Sequence, residues 1–248
     1  MYSEKDIIEF QKILQKNSSI QTKEWWEKYL KHIISFRGIG IPEIRKLLKT
    51  WYTKHKFQEE DTEDQINLAK EFFASPIAED KLTGILILQE FLLDKITCEK
   101  MVCSVEDIFN RNYINDWNTC DWLSVKVLTP VIEYGRLVCV QQISNWKSSR
   151  RLWKARASAV AFAQAKNKLQ YIDFIDEICS TLIIREERFA KTAVAWVLRE
   201  TAISNPEYTL HFVGRYNIFF TKETIYNALK YFGPEIRQEY LKRLKIAL

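Results

Sequence analysis

The sequence predicts an all-α chain of stacked helix pairs, and three observations predict it. Apolar residues recur at helical spacing almost throughout its 248 positions. Glycine and proline are scarce, at six and five, whereas a sheet-rich protein would spend more of both on its turns. The pattern Trp-x-x-Arg-x-x-Ala occurs twice, at Trp153/Arg156/Ala159 and again 43 residues on at Trp196/Arg199/Ala202. That offset falls among two-helix HEAT-like repeats of about 40–47 residues. Such units stack sideways over a continuous core and give a curved α-solenoid whose concave face is lined by equivalent helices. An irregular helical bundle, with the spacing a coincidence, is the alternative.

The elements follow in order. Ile7, Phe10, Ile13 and Leu14 define a first helix, Trp25, Trp26, Tyr29 and Leu30 a second, and Ile44, Leu47, Leu48 and Trp51 a third. Pro42 stands in the first turn of the third helix, after Gly38 and Gly40. Ser75-Pro76, Asn205-Pro206 and Gly233-Pro234 mark later breaks. Helix pairs are expected over 79–111, 117–145, 150–184 and 187–217. The Trp117, Trp153 and Trp196 helices are then successive members of one lining, with Trp153 an inward core anchor. The β-branched run Thr181–Ile184 is short and sits inside a helical pattern, and no strand is expected.

The net charge of +5 is unevenly spread. Residues 141–170 hold Lys147, Arg150, Arg151, Lys154, Arg156, Lys166 and Lys168 without a single acid, while Glu59–Asp64 is an acidic run. An acid-free basic stretch suits a phosphate-facing surface, hence a concave basic groove; a solvated face paired with acids of neighbouring helices would read the same way. Five cysteines without a C-x-x-C pair indicate neither a disulfide framework nor a zinc site, and His32, His55 and His211 are dispersed, so no metal and no cofactor is expected. No stretch reaches about 18 uncharged apolar residues and the N-terminus lacks a signal-like core. A monomeric protein of the cytoplasm, or of the nucleus in a eukaryote, is expected, with no membrane partner.

Chemistry concentrates at Asp116-Trp117-Asn118-Thr119-Cys120-Asp121. On a helix Trp117 and Asp121 are four apart and share a face, so an indole and a carboxylate can meet one small group. A carboxylate stabilises an oxocarbenium-like sugar and holds an attacking water, as cleavage of a glycosidic bond requires. The indole attracts a delocalised cation by about 0.5–2 kcal/mol, and a ring-alkylated purine is such a cation. Helix capping explains Asp116 or Asp121 equally well at this level. Arg156 and Arg199 each follow a tryptophan by three residues and can reach a phosphate; pairing with acids such as Glu200 or Asp176 is the alternative.

Four segments carry a family resemblance: Phe36–Arg45 (FRGIGIPEIR), Asp116–Asp121, Leu152–Ala157 (LWKARA) and Ala193–Glu200 (AVAWVLRE). The chain resembles the AlkD-like DNA alkylation repair family of DNA glycosylases, built of HEAT-like repeats. The resemblance implies one HEAT-like repeat domain over 1–248. It implies a monofunctional glycosylase excising cationic N-alkylated purines, of the 3-methyladenine and 7-methylguanine type, from duplex DNA. It assigns Asp121 as the catalytic acid, Trp117, Trp196 and Tyr29 as contacts to the lesion nucleotide, and Arg156 and Arg199 to phosphates. Asn118 departs from the pattern, standing where members often carry a second acid, and Cys120 and Trp122 add bulk beside Asp121. Some relatives bind branched or distorted DNA without catalysis, which makes that the second reading; a protein-interaction scaffold is the third.

Overall fold

The structure, a computed structural model, describes residues 2–246, of which 245 and 246 by backbone alone. Among these residues every regular element is a helix, and one isolated bridge joins Ser35 to Ile77. No helix is long and apolar enough to cross a membrane. Contacts divide the chain into two units, Met1–Val127 and Leu128–Leu248.

The first unit runs α1 (Glu4–Lys16), α2 (Ile20–Tyr29), α3 (Ile41–Lys54), α4 (Thr62–Ala74), α5 (Ala78–Ile87), α6 (Cys98–Asn110) and α7 (Trp117–Leu123). Local sequence sets the starts. Ser19, Asp61, Thr97 and Asp116 accept backbone N–H groups of the first turns of α2, α4, α6 and α7, satisfying donors that a helix leaves without partners. The acidic run falls here too, with Asp61 as cap and Glu63 and Asp64 in the first turn of α4, where the helix dipole favours negative charge. Left-handed residues follow the ends: Lys31 and His32 after α2, Lys56 after α3, Asn112 after α6.

All ten residues of α5 are buried, Glu79, Asp80 and Lys81 among them. Buried charge is costly unless partnered, and each of the three is. Glu79 accepts the N–H groups of Arg37 (2.9 Å), Gly38 (2.8 Å) and Ile39 (3.2 Å). Asp80 takes the Arg37 guanidinium at 2.7 Å, with Gln11 and Ser75 donating to the same oxygen. Lys81 donates to the carbonyls of Phe73 and Tyr113. Gly38 has φ +100°, and a Cβ there would lie 2.1 Å from the Ser19 carbonyl, so the Phe36–Ile41 turn admits only glycine at this point. Around α5 lies an aromatic core of Phe10, Trp51, Tyr52, Phe72 and Phe73, each at most 2% exposed.

The second unit runs α8 (Thr129–Glu133), α9 (Leu137–Asn145), α10 (Leu152–Ala163), α11 (Ile172–Ile183), α12 (Arg188–Ala202), α13 (Pro206–Arg215), α14 (Lys222–Ala228) and α15 (Pro234–Ile246). The four expected helix pairs lie within a few residues of these bounds. Helices α10 and α12 pack on each other, and both are rich in small buried side chains: Ala155, Ala159 and Ala163 of α10, Ala190, Ala193 and Ala195 of α12. Their lack of bulk lets the two backbones approach closely. Two threonines lock neighbours by donating to helix carbonyls, Thr129 to Ala161 and Thr209 to Leu198.

One tryptophan reading changes. Trp153 is half-buried against the Phe189 ring, 5.2 Å between centroids, while the deep anchors are Trp51 and Trp146 at 2% and 3% exposure. Helical periodicity marks a face and cannot say how deeply it sinks. Of the Trp25–Leu30 run, only Leu30 is buried, and Trp25 and Tyr29 lie on the surface.

Candidate nucleic-acid interface

Helix α7 carries Trp117 in its first turn and Asp121 in its second. Asp116 is its cap: one carboxylate oxygen accepts the Thr119 N–H at 2.8 Å, so capping explains Asp116 and leaves Asp121 outside that role. Cys120, fully buried, and Asn118 point inward. Trp122 packs beneath the Lys126 ammonium at 5.5 Å. Trp117 and Asp121 are half-buried on one face of the helix. Directly after α7 the chain makes a π turn, Ser124–Leu128. Pro130 has no N–H to return to Lys126 and disfavours a regular α-helical register there.

Aromatic rings gather where Trp117 emerges. Trp117 packs on the cluster of Leu30, Phe36 and Ala78, as does Trp26. The Tyr29 ring meets Trp117 edge to face, 6.0 Å between centroids. Trp25 stacks on Tyr29 at 5.4 Å with the planes 5° apart, and Trp26 stacks on Phe36 at 5.7 Å. The structure therefore brings Tyr29 and Trp117 together beside the helix of Asp121. Sequence reasoning did not single out Trp25 as a candidate functional residue; its position i−4 from Tyr29 was the available signal.

Asp116 and Lys81 line a different feature, a cavity of about 420 Å³ bordered also by His32, Ser35, Asn112 and Asn115. Tyr29, Trp117 and Asp121 take no part in its wall. Burial pushes the Asp116 carboxyl above the usual carboxylate range, against the Thr119 hydrogen bond and the Lys81 charge, which pull it down. Burial likewise lowers Lys81, against the attraction of Asp116 and Asp80.

In the second unit, the Arg199 guanidinium lies 5.9 Å from the half-buried Trp196 ring. It is also paired: two of its nitrogens reach Glu200 Oε1, at 2.8 and 2.6 Å, and the third donates to Asn227. Asp176 pairs with Arg215 instead. Arg156 is only 5% exposed. Its Nη1 donates to the Phe189 carbonyl and to Thr192, tying α10 to α12. Within the acid-free stretch, Lys147 finds its counter-charge on α11 in Glu177, 3.2 Å away, whereas Arg150 and Arg151 are exposed.

Of the three cysteines nearest the core, Cys120, Cys139 and Cys179 are buried thiols. Among the described residues one group of metal-capable side chains converges, Asp6, Glu9 and His55. The two ring nitrogens of His55 face different carboxylates, Nδ1 at 3.5 Å from Asp6 and Nε2 at 3.0 Å from Glu9, and Lys54 sits 3.1 Å from Glu9.

Residues 10–232 match the family model of DNA alkylation repair enzymes. The chain belongs to that family. A solved structure of a predicted DNA alkylation repair enzyme from Enterococcus faecalis superposes with a TM-score of 0.74 at 17% identity, covering 88% of this chain and 98% of the other. The two therefore share the all-helical repeat fold. No curated protein matches the chain. Family membership gives a role in the repair of alkylated DNA, with DNA as the substrate.

Proposed function

We propose that this family member is a monofunctional DNA glycosylase that releases cationic N-alkylated purines from duplex DNA. The observation that carries the reading is the face of α7. There Asp121 follows Trp117 by one helical turn, and Trp117 is held by the Tyr29 ring at 6.0 Å. A cationic base has already weakened its glycosidic bond, so the protein needs little acid catalysis at the leaving group. Asp121 stabilises the positive charge that develops on the sugar and orients the attacking water. The Trp117 and Tyr29 rings attract the cationic lesion nucleotide.

In the second unit, Trp196 contributes a further aromatic face, and Arg199 and Arg156 contribute to holding phosphates. For Arg199 this requires exchange of the Glu200 carboxylate for a phosphate, two anions competing for one guanidinium. Arg156 contributes by holding α10 to α12 through Nη1 and placing positive charge at that contact. Asp121 needs neither a lysine nucleophile nor a metal for this reaction, since the charged base leaves unaided once the sugar cation is stabilised.

Release of free base from N-methylated duplex DNA tests the reading. Wild type should excise, and Asp121→Asn should lower the rate by about a hundredfold or more, in the range lost with one transition-state electrostatic partner, with DNA affinity retained. Excision by Asp121→Asn at the wild-type rate would remove Asp121 from the mechanism. Binding without excision by wild type would instead make the chain a binder of distorted DNA.

A further inference from the structure

Helix α2 buries none of its ten residues, yet carries two large exposed rings, Trp25 at 59% and Tyr29 at 55% exposure. The rings lie parallel within 5°. Tyr29 is fixed from behind by Trp117 and Trp26, both edge-on at about 6 Å. The result is a rigid, flat, outward-facing stack on a surface helix. Its flank is basic: Lys28, three residues from Trp25, is exposed on the same face, and Lys31 and His32 follow Tyr29 and are exposed too. Of the two acids on α2, Glu27 is turned inward, accepting the Phe36 N–H at 3.0 Å and lying 3.9 Å from Lys23, and Glu24 is exposed beside Trp25, so the excess of positive charge comes from Lys28 and Lys31.

We propose that the exposed Trp25 ring, backed by Tyr29, is a stacking platform for an unpaired nucleotide of DNA, a site beyond the contacts of Trp117, Tyr29 and Asp121 to the lesion. The proposal rests on the reading of DNA as the partner. Flat rings beside lysines suit a base on its phosphate, because every base offers a π-face and carries an anion next to it. Bases inside a duplex have both faces covered by their neighbours. A platform of this kind therefore takes a nucleotide that has left the stack, whether displaced beside a lesion or bulged.

Equilibrium binding to an undamaged duplex containing a single-nucleotide bulge, against the same duplex without it, tests the site apart from any excision. Wild type should prefer the bulged duplex by about tenfold, in line with one base stacked on an aromatic ring. Trp25→Ala should erase that preference while its affinity for the intact duplex stays within about twofold, and Trp25→Phe should keep most of it. Circular dichroism should show Trp25→Ala melting as wild type does, since its ring lies outside the core.

A preference retained by Trp25→Ala, or an equal loss on both duplexes, would overturn the platform. So would a lowered melting temperature, which would make Trp25 a packing residue. Wild type binding both duplexes alike would overturn the platform alone. Wild type binding neither would overturn the DNA reading beneath it.

Discussion

Tyr29 presents its ring to Trp117 edge to face, with centroids 6.0 Å apart and planes 67° from parallel, although 88 residues separate them in the chain. Edge-to-face pairs of this kind add about 0.5–1.5 kcal/mol beyond burial. They also fix ring orientation, which matters more here: under the proposed contact of Trp117 with DNA, less ordering of its ring remains to be done on binding.

Glu200 is the built-in competitor for the Arg199 guanidinium, at 2.6 Å. If Arg199 contacts DNA phosphate, Glu200→Gln should tighten DNA binding several-fold and steepen the slope of log affinity against log salt by about 0.9, one extra phosphate neutralised. Fluorescence anisotropy at several salt concentrations gives both quantities. An unchanged slope would take Arg199 out of the phosphate contacts.

Arg156 has structural duties whatever else it does. Removing a buried guanidinium that bonds the Phe189 carbonyl and Thr192 should cost about 2–3 kcal/mol, since charge-assisted hydrogen bonds between α10 and α12 are lost. Arg156→Ala should therefore unfold at lower urea, and its DNA affinity has to be read at a concentration where it remains folded. A variant as stable as wild type would show that α10 and α12 do not depend on this tie.

Gly38→Ala combines a left-handed backbone with a clash against the Ser19 carbonyl. The expected loss is about 3 kcal/mol or more, visible as a large drop in denaturation midpoint. Gly40→Ala is the control: φ is in the ordinary range and the nearest atom to an added Cβ is Pro42 Cδ at 3.8 Å, so it should be mild.

Asp116 has a folded-state pKa above its ordinary 3.8 because of burial. The unfolded chain then gives up this proton first, so its contribution to stability is full below pH 3.8 and is lost as pH rises through the folded value. Asp116→Asn keeps a side-chain oxygen for the Thr119 N–H and removes the titration. Its stability relative to wild type should rise with pH across that window and level off above it, as measured by urea denaturation at a series of pH values. A difference that is flat with pH would show that Asp116 does not titrate across that window.

The helices were legible because amphipathic spacing and capping residues are local, and the 43-residue echo of Trp153 in Trp196 located α10 and α12 correctly. The face shared by Trp117 and Asp121 was legible for the same reason. What the sequence hid was non-local. Glu79-Asp80-Lys81 reads as a solvated polar run at a helix start, and only the arrival of Arg37, Gly38 and Tyr113 makes it an interior. Arg199 and Glu200 are adjacent in sequence, yet their pairing depends on rotamers that spacing does not specify. Trp25 belongs to the apolar pattern of α2, but periodicity counts hydrophobic residues without knowing what will cover them, so its exposure was not legible.

Glu79 reaches back 41 residues to the N–H of Gly38, and this sets an order of assembly. In a helical array built only from neighbour contacts, each pair of helices could settle as it leaves the ribosome. Here the turn between α2 and α3 has no anchor for three successive amides until α5 has been made. A chain stopped before residue 79 should hold α2 and α3 loosely, with the Arg37–Ile39 amides open to hydrogen exchange. The aromatic cluster that α2 supplies thus matures only after the segment that will lie beneath it.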